Sequence, residues 1–400
     1  MKNKKILISG AGVAGLTLAY WLKQYGFTPT LIEKHPSLRT GGYKIDLRGV
    51  ALEILKRMEI YPNIVENRTA ITHTICVDKA GNQVAQMSAD LCGTRLEGID
   101  LEIMRGSLCQ IIRDAIGEIE CLFDESITNI SEDSNGVYVE FEKRKPRVFD
   151  IVIGADGLHS AVRKLVFGDE SNFSKEFGVY VSVFSIPNFL TLTASEIEHH
   201  SYRKFVNIYR DRKDTHTKVA IAFSVEKPFY SRDPKEQKKL VEEIFANSAW
   251  EMPRILNAMK ESSDFYFDSM AQIHMPQWSS GRAVLVGDAA YSATPMSGQG
   301  TSIAIAGAYV LAGELWEAQG DYQNAFSSYE KLMRPFAEKN QALAEMSASI
   351  MKDSFYSMWL HRIAAIMPAK VIYYFKNLGL KRTTKAANAL ILKDYNEKNR

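Results

Sequence analysis

Four hundred residues exceed one typical domain, and 46% hydrophobic residues are enough to bury a sizeable core. Lys+Arg 49 against Asp+Glu 47 leaves a net charge of +2, which gives no electrostatic footprint for nucleic acid. The 4 cysteines (Cys76, Cys92, Cys109, Cys121) show no CxxC spacing and follow no secretion signal, so reduced thiols, no metal and a cytoplasmic protein are expected. No apolar run is long enough to span a bilayer; the closest, residues 303–313, reads as a buried helix, and no stable membrane insertion is expected.

Residues 4–9 read as a short buried strand that runs into Gly10-Ala11-Gly12-Val13-Ala14-Gly15. Apolar residues at helical spacing follow (Leu16, Leu18, Ala19, Leu22), and a second apolar strand, residues 28–32, ends at Glu33. Strand, G-x-G-x-x-G, helix, strand and an acid about twenty residues on make a dinucleotide-binding fingerprint. Gly10 serves the tight turn, Gly12 the approach of a pyrophosphate and Gly15 close helix–strand packing. Glu33 is placed to accept from a ribose diol and would repel a 2′-phosphate, so the site suits FAD or NAD and not NADP. Ala14 inside the loop and Lys34 beside the acid join the cofactor-binding candidates.

A Pro/Ser/Gly-rich loop carries Arg39, near where a pyrophosphate or incoming cofactor would lie. Residues 43–47 alternate like a strand and present Asp46, and a helix is expected over 50–58. Residues 75–78 and 83–85 read as a hairpin with Gly81 in its turn. Residues 101–106 lead past Arg105 into a helix over 107–116, with Ser107 as its N-cap. Strands over 126–130 and 137–142 form another hairpin. The apolar residues 149–154 make one buried strand ending in Ala155-Asp156-Gly157-Leu158-His159-Ser160, which places Asp156 where parallel sheets bind ligands.

From about residue 173 to 276 the pattern becomes antiparallel, with strands over 178–186, 204–209 and 218–225 and helices over 235–245 and 250–259. An inserted sheet packed over the cofactor is expected, carrying Tyr180, Phe184, Tyr209 and Phe223 as substrate-contact candidates. A further buried strand, residues 282–286, ends in Gly287-Asp288-Ala289-Ala290-Tyr291. The loop with Pro295, Gly298, Gln299 and Gly300 then meets a helix N-terminus over 301–317, a second place for close backbone approach to a ligand. The remainder is helical: residues 321–348, a second stretch over 355–375 broken near Pro368, and a basic amphipathic tail with Lys376, Lys381, Arg382 and Lys385. The expected organisation is α/β. A Rossmann-like first part spans residues 1–172, the inserted β-sheet domain 173–276, the return segment 277–320, and C-terminal helices bridging the domains 321–400.

Three ordered motifs resemble the FAD-dependent group A aromatic hydroxylases over nearly the whole chain: Gly10-x-Gly12-x-x-Gly15 with Glu33, Gly154-Ala155-Asp156-Gly157 with Ser160 and Arg163, and Gly287-Asp288-Ala289-Ala290 with Pro295 and Gly298-Gln299-Gly300. The resemblance implies that Glu33 binds the adenosine ribose, Arg105 contacts FAD and Asp288 holds the ribityl chain. It places Pro295 and Gly298-Gln299-Gly300 beside the isoalloxazine, and gives Asp156 and Arg163 contacts to cofactor and NADPH. Tyr291 stands where the family usually has His. Arg39-x-Gly41-Gly42 and Asp46-Leu47-Arg48-Gly49, with the two C-terminal helical stretches, are similar to the tetracycline destructases. In those enzymes the matching Asp46 and Arg105 bind FAD and the matching Arg39 contacts NADPH.

The implied activity is that of a monomeric monooxygenase with a small-molecule, tetracycline-like substrate. NADPH reduces FAD, and a flavin C4a-hydroperoxide transfers one oxygen atom. The flavin carries the chemistry, so no catalytic acid, base or nucleophile is named. Other phenolic or polycyclic substrates fit the same motifs. Two further readings stay open: a flavoprotein acting on a lipid at a membrane, and a flavin-free prenyl-binding protein on the same fold.

Overall fold

The computed structural model describes residues 1–39, 41–88, 100–210, 216–352 and 381–395. Cys92, the expected helix over 355–375 with Pro368, and Lys376 lie outside these.

Strands Lys5–Ser9 and Ile151–Gly154 are almost wholly apolar and buried, as strands covered on both faces must be. They form the centre of a six-stranded sheet ordered Ser279–Ser280, Ala283–Leu285, Ile151–Gly154, Lys5–Ser9, Thr28–Glu33 and Glu120–Phe123. Pairing is parallel throughout except at the Ser279–Ser280 edge. The apolar run over 149–154 proves to be two elements. Arg147–Phe149 joins a three-stranded antiparallel sheet with Gly136–Phe141 and Ile127–Asp133, and only Ile151–Gly154 enters the central sheet. Helices Val13–Gln24 and Gly300–Glu317 pack together on the sheet, where the Trp21 and Tyr309 rings meet edge-on at 4.9 Å.

The inserted unit is a seven-stranded sheet ordered Tyr266–Ile273, Ser174–Pro187, His216–Ser224, Lys204–Tyr209, Ser195–Ser201, His73–Val77 and Gln83–Ser88. Its last two strands correct the expected boundary. The hairpin His73–Ser88 belongs by sequence to the first part of the chain, yet His73–Val77 pairs in parallel with Ser195–Ser201. A short antiparallel pair, Lys44–Leu47 with Leu101–Met104, lies at the seam.

One face of the large sheet is sealed by helices Pro234–Phe245 and Met252–Glu261. Asp233 caps the first by accepting from Lys235 N at 2.9 Å, and Pro234 supplies a preset first turn. Phe245, Ile255 and Met259 are buried against Phe184, Ile208, Ile221 and Phe223. Each such side chain contributes about 1.5–3 kcal/mol by leaving water.

Helix Tyr322–Lys352 follows, and residues 381–387 are again helical. Ala386, Ala387 and Leu390 are buried while Lys381, Arg382 and Lys385 face solvent, so the basic tail packs its apolar side on its own protein. Beyond it Tyr395 donates to Glu314 at 2.8 Å. Among the described residues no helix is long and apolar enough to cross a membrane.

Candidate cofactor site

The glycine loop has the geometry its spacing dictates. Gly10 takes a φ of +102°, and a methyl there would stand 2.5 Å from Ala155 O. At Gly15 it would stand 1.9 Å from Gly10 O, so helix Val13–Gln24 lies against the turn at a distance only hydrogen permits. Gly12 differs: its nearest neighbour to such a methyl is Arg105 Nη2 at 3.4 Å, leaving that side of the loop open. Gly12 caps the helix without any side-chain cap, so first-turn N–H groups stay available to an anion. Ala14 is buried in that turn.

Glu33 lies at the tip of its strand, where one carboxylate oxygen accepts from Ala11 N and the other from His35 N, both at 3.0 Å. This locks the carboxylate beside the loop. Lys34 and Arg39 are exposed on the rim just beyond, with Arg39 in the electrostatic reach of Glu33 and Arg105.

The helix that carries Arg105 starts two residues earlier than the sequence suggests. It spans Arg105–Ile116 with Met104 at the cap, so Ser107 sits in its first turn and caps nothing. Arg105 N donates to Tyr43 O at 3.1 Å. Its guanidinium, among the described residues, has no hydrogen-bonded or salt-bridged partner; burial would lower its pKa, but Cys109 first, then Tyr43, Tyr266 and Asp288, hold it up.

Asp288 opens the short helix Asp288–Tyr291 at the carboxyl end of Ala283–Leu285. The protein mass around it lifts its carboxyl above the ordinary range, while Arg105 pulls the other way. The turn Pro295–Ser297 follows, held by Thr294 accepting from Met296 N at 3.0 Å, and Gly298 adopts the left-handed conformation. Gln299 precedes helix Gly300–Glu317 and is fully buried, its side-chain amide without a hydrogen-bond partner. At Gly300 an added methyl meets nothing within 4 Å. Asp46 pairs with the buried Arg48, whose N–H donates to Ser302 Oγ at 3.2 Å, tying the seam strand to the start of that helix. Tyr291, in place of the family's His, shares a 2.9 Å hydrogen bond with Tyr329 inside the core.

Several of the expected site residues make contacts within the protein. The Asp156 carboxylate accepts from Ala161 N at 2.9 Å, Val162 N at 3.2 Å and the Ser160 hydroxyl, and so supports the start of helix Ala161–Phe167, whose N-cap is Ser160, accepting from Arg163 N at 3.0 Å. Arg163 is fully buried and donates to Ala289 O at 3.0 Å and to Leu158 O, linking two motifs internally. Tyr180, Phe184 and Phe223 lie in the core beneath the two sealing helices, on the face turned away from Met296. Tyr209 is on the near face, but it is 1% exposed and accepts from Lys44 N at 3.2 Å. The near face meets the turn Pro295–Ser297 through other residues: Val181, Phe205, Ala222 and Met270 cluster with Met296.

The family described as FAD binding domain matches residues 3–344. A flavin-dependent monooxygenase from an unidentified prokaryote is 43% identical over 353 residues, 88% of this chain and 91% of that one. The chain belongs to the FAD-dependent monooxygenase family. Among solved structures the monooxygenase is similar to tetracycline destructase Tet(51), with 35% identity, a TM-score of 0.87 and coverage of 99% of this chain and 100% of the other. Tetracycline destructase Tet(55) gives 38% identity, a TM-score of 0.86 and coverage of 98% and 99%.

The residues present fit FAD. A locked carboxylate, an uncapped helix start behind an open glycine and an unpaired guanidinium facing it suit a ribose and a pyrophosphate. Sequence reading did not single out Tyr43, Tyr266 or Asp268, and set His159 aside because the spread histidines form no triad or metal spacing. Of these only His159 carried a signal, its place directly after the Asp156-Gly157-Leu158 turn.

Proposed function

We propose that this monooxygenase consumes NADPH to oxygenate tetracycline antibiotics and so inactivate them. The observation that carries the reading is the end-to-end likeness to the two tetracycline destructases, at 35% and 38% identity. Bound FAD, once reduced, supplies the activation of dioxygen for transfer of one oxygen atom. The chain's residues do the rest. Glu33 binds the ribose, Arg105 and the first turn of Val13–Gln24 neutralise the pyrophosphate, and Asp288 holds the ribityl chain. Pro295 and Gly298-Gln299-Gly300 border the isoalloxazine, with the start of Gly300–Glu317 favouring negative charge there. Arg39, exposed on the rim, meets NADPH as a transient reductant.

The substrate wall is the near face of the inserted sheet. Phe205, Met270 and Val181 offer an apolar surface beside Met296. On the same face Asn207 donates to Glu196 at 3.1 Å, and the His200 and Phe205 rings stand 4.6 Å apart. Such a wall suits a flat polycycle with one polar edge, and it shields the reacting centre from water. Residues 1–172 and 277–320 hold the cofactor, 173–276 with the hairpin His73–Ser88 hold the substrate, and the described helices after residue 320 bridge the two. The enzyme acts as a cytoplasmic monomer.

The test is NADPH oxidation by the purified, flavin-loaded protein with and without tetracycline. Stimulation by the drug with loss of its antibacterial activity supports the reading. Consumption unaffected by the drug, with the drug intact, overturns it in favour of another phenolic or polycyclic substrate.

A further inference from the structure

His159 joins the two halves of the molecule. Its Nδ1 lies 2.8 Å from Glu170 Oε1 of the cofactor half, and its Nε2 lies 2.9 Å from Asp268 Oδ1 of the inserted sheet. The other Asp268 oxygen accepts from the Tyr266 hydroxyl at 2.8 Å, and Asp268 Oδ1 also accepts from Ser269 N at 2.9 Å. Tyr266 in turn faces Tyr43 with ring centroids 6.3 Å apart and shares the electrostatic neighbourhood of Arg105. Arg105 is the guanidinium standing against Gly12. Hydrogen bonds thus run from His159 through Asp268 to Tyr266, whose ring packs beside Tyr43 within the electrostatic reach of Arg105.

We propose that His159 is a positioning residue for FAD: as an imidazolium donating to both Glu170 and Asp268, it fixes the carboxylate that orients Tyr266 beside Tyr43 and Arg105. That role presupposes the flavin in the cleft. Both carboxylates accept only, so a neutral imidazole satisfies one of them and leaves the other oxygen facing a lone pair. The groups around the ring are Glu170 and Asp268, with Arg232 Nη2 3.2 Å from Nδ1 and Arg163 sharing Glu170. Burial would lower the His159 pKa, but the two carboxylates outweigh it and carry it to about 9. The sign follows. The raised pKa means the clamp is complete below the ordinary histidine value and is lost as pH rises through about 9.

The experiment is a set of FAD dissociation constants, read by quenching of flavin fluorescence on apoprotein at pH 7 and at about pH 9.5. It uses wild type, His159→Gln, Tyr266→Phe and the double variant. Wild type is expected to lose about three- to fourfold in affinity between the two pH values, because half a unit above a pKa of about 9 roughly a quarter of the imidazolium remains. Each single variant should show a similar loss already at pH 7 and no further decline, and the double variant should bind no more weakly than either single. Additive losses, or the same alkaline decline persisting in Tyr266→Phe, would overturn the role. If His159→Gln fails to fold, the comparison of wild type with Tyr266→Phe at both pH values decides it, since that change removes one hydroxyl. No FAD binding by wild type at either pH would overturn the flavin reading itself; binding with pH-independent affinity overturns only the role of His159.

Discussion

Lys44, on the seam strand of the cofactor half, forms a buried ion pair with Glu196 of the inserted sheet. Glu102 stands 3.5 Å from the same ammonium, Thr74 donates to Glu196 at 2.5 Å and Asn207 at 3.1 Å, and the ammonium lies 5.1 Å from the Tyr209 ring. Burial alone would neutralise both partners. The two carboxylates instead drive the Lys44 pKa up, and Lys44 holds Glu196 below its usual range. Lys44→Met leaves two buried carboxylates without their cation, and a loss of about 3–5 kcal/mol is expected. Adding Glu196→Gln should recover part of it. Denaturant unfolding of the single and double variants checks both.

Two glycines of one loop should fail in different ways. Gly15→Ala forces a methyl to within 1.9 Å of Gly10 O, so little folded protein is expected on expression. Gly12→Ala meets only Arg105 Nη2 at 3.4 Å and should fold, with its helix content intact. Its added methyl obstructs the pyrophosphate, so FAD affinity should fall at least about tenfold. Circular dichroism and flavin content of the two purified proteins separate the cases.

Arg105→Met tests the unpaired guanidinium. Hydrogen bonds to charged groups are worth about 1.5–3 kcal/mol, so FAD affinity should weaken about 10- to 150-fold. Stability of the apoprotein should not fall, because no described side chain loses a salt-bridge partner. A drop in apoprotein Tm as large as the affinity loss would show that Arg105 serves the fold.

Asp264 gives an acid-sensitive counterpart. Burial would raise its pKa, but Lys218 at 2.7 Å, the Ser185 N–H at 2.9 Å and the Ser185 and Ser262 hydroxyls at 2.6 and 2.8 Å hold it well below the usual carboxylate range. A depressed carboxylate stabilises above its unfolded pKa of about 4 and loses that contribution as pH falls. Asp264→Asn should therefore lower Tm at pH 7, with the gap to wild type narrowing progressively below about pH 4. A gap that stays constant with pH contradicts the assignment.

How much was legible in the sequence depends on how local each feature is. The strands flanking the glycine loop, Glu33, and helix Gly300–Glu317 follow from neighbours in the chain, and the structure places them together. The inserted sheet shows the limit. Alternation separates Phe184 and Phe223 from Ala222 and Val181, but it does not say which set looks toward the cofactor. That is decided by helices Pro234–Phe245 and Met252–Glu261, which cover one face and claim the aromatic set as core. The pairing of His73–Val77 with Ser195–Ser201 and the contact of His159 with Asp268, 109 residues apart, are long-range in the same sense. Asp156 is ambiguous for another reason: an acid after a buried strand can serve a ligand or the next helix start, and here it accepts from Ala161 N and Val162 N.

The most direct measurement is mass spectrometry of tetracycline after turnover with NADPH under isotopically heavy dioxygen. The account predicts a product, or its breakdown products, carrying one oxygen atom from the labelled gas, formed only by flavin-loaded protein. Tetracycline recovered unchanged while NADPH is consumed, or a product whose new oxygen comes from water, would contradict it.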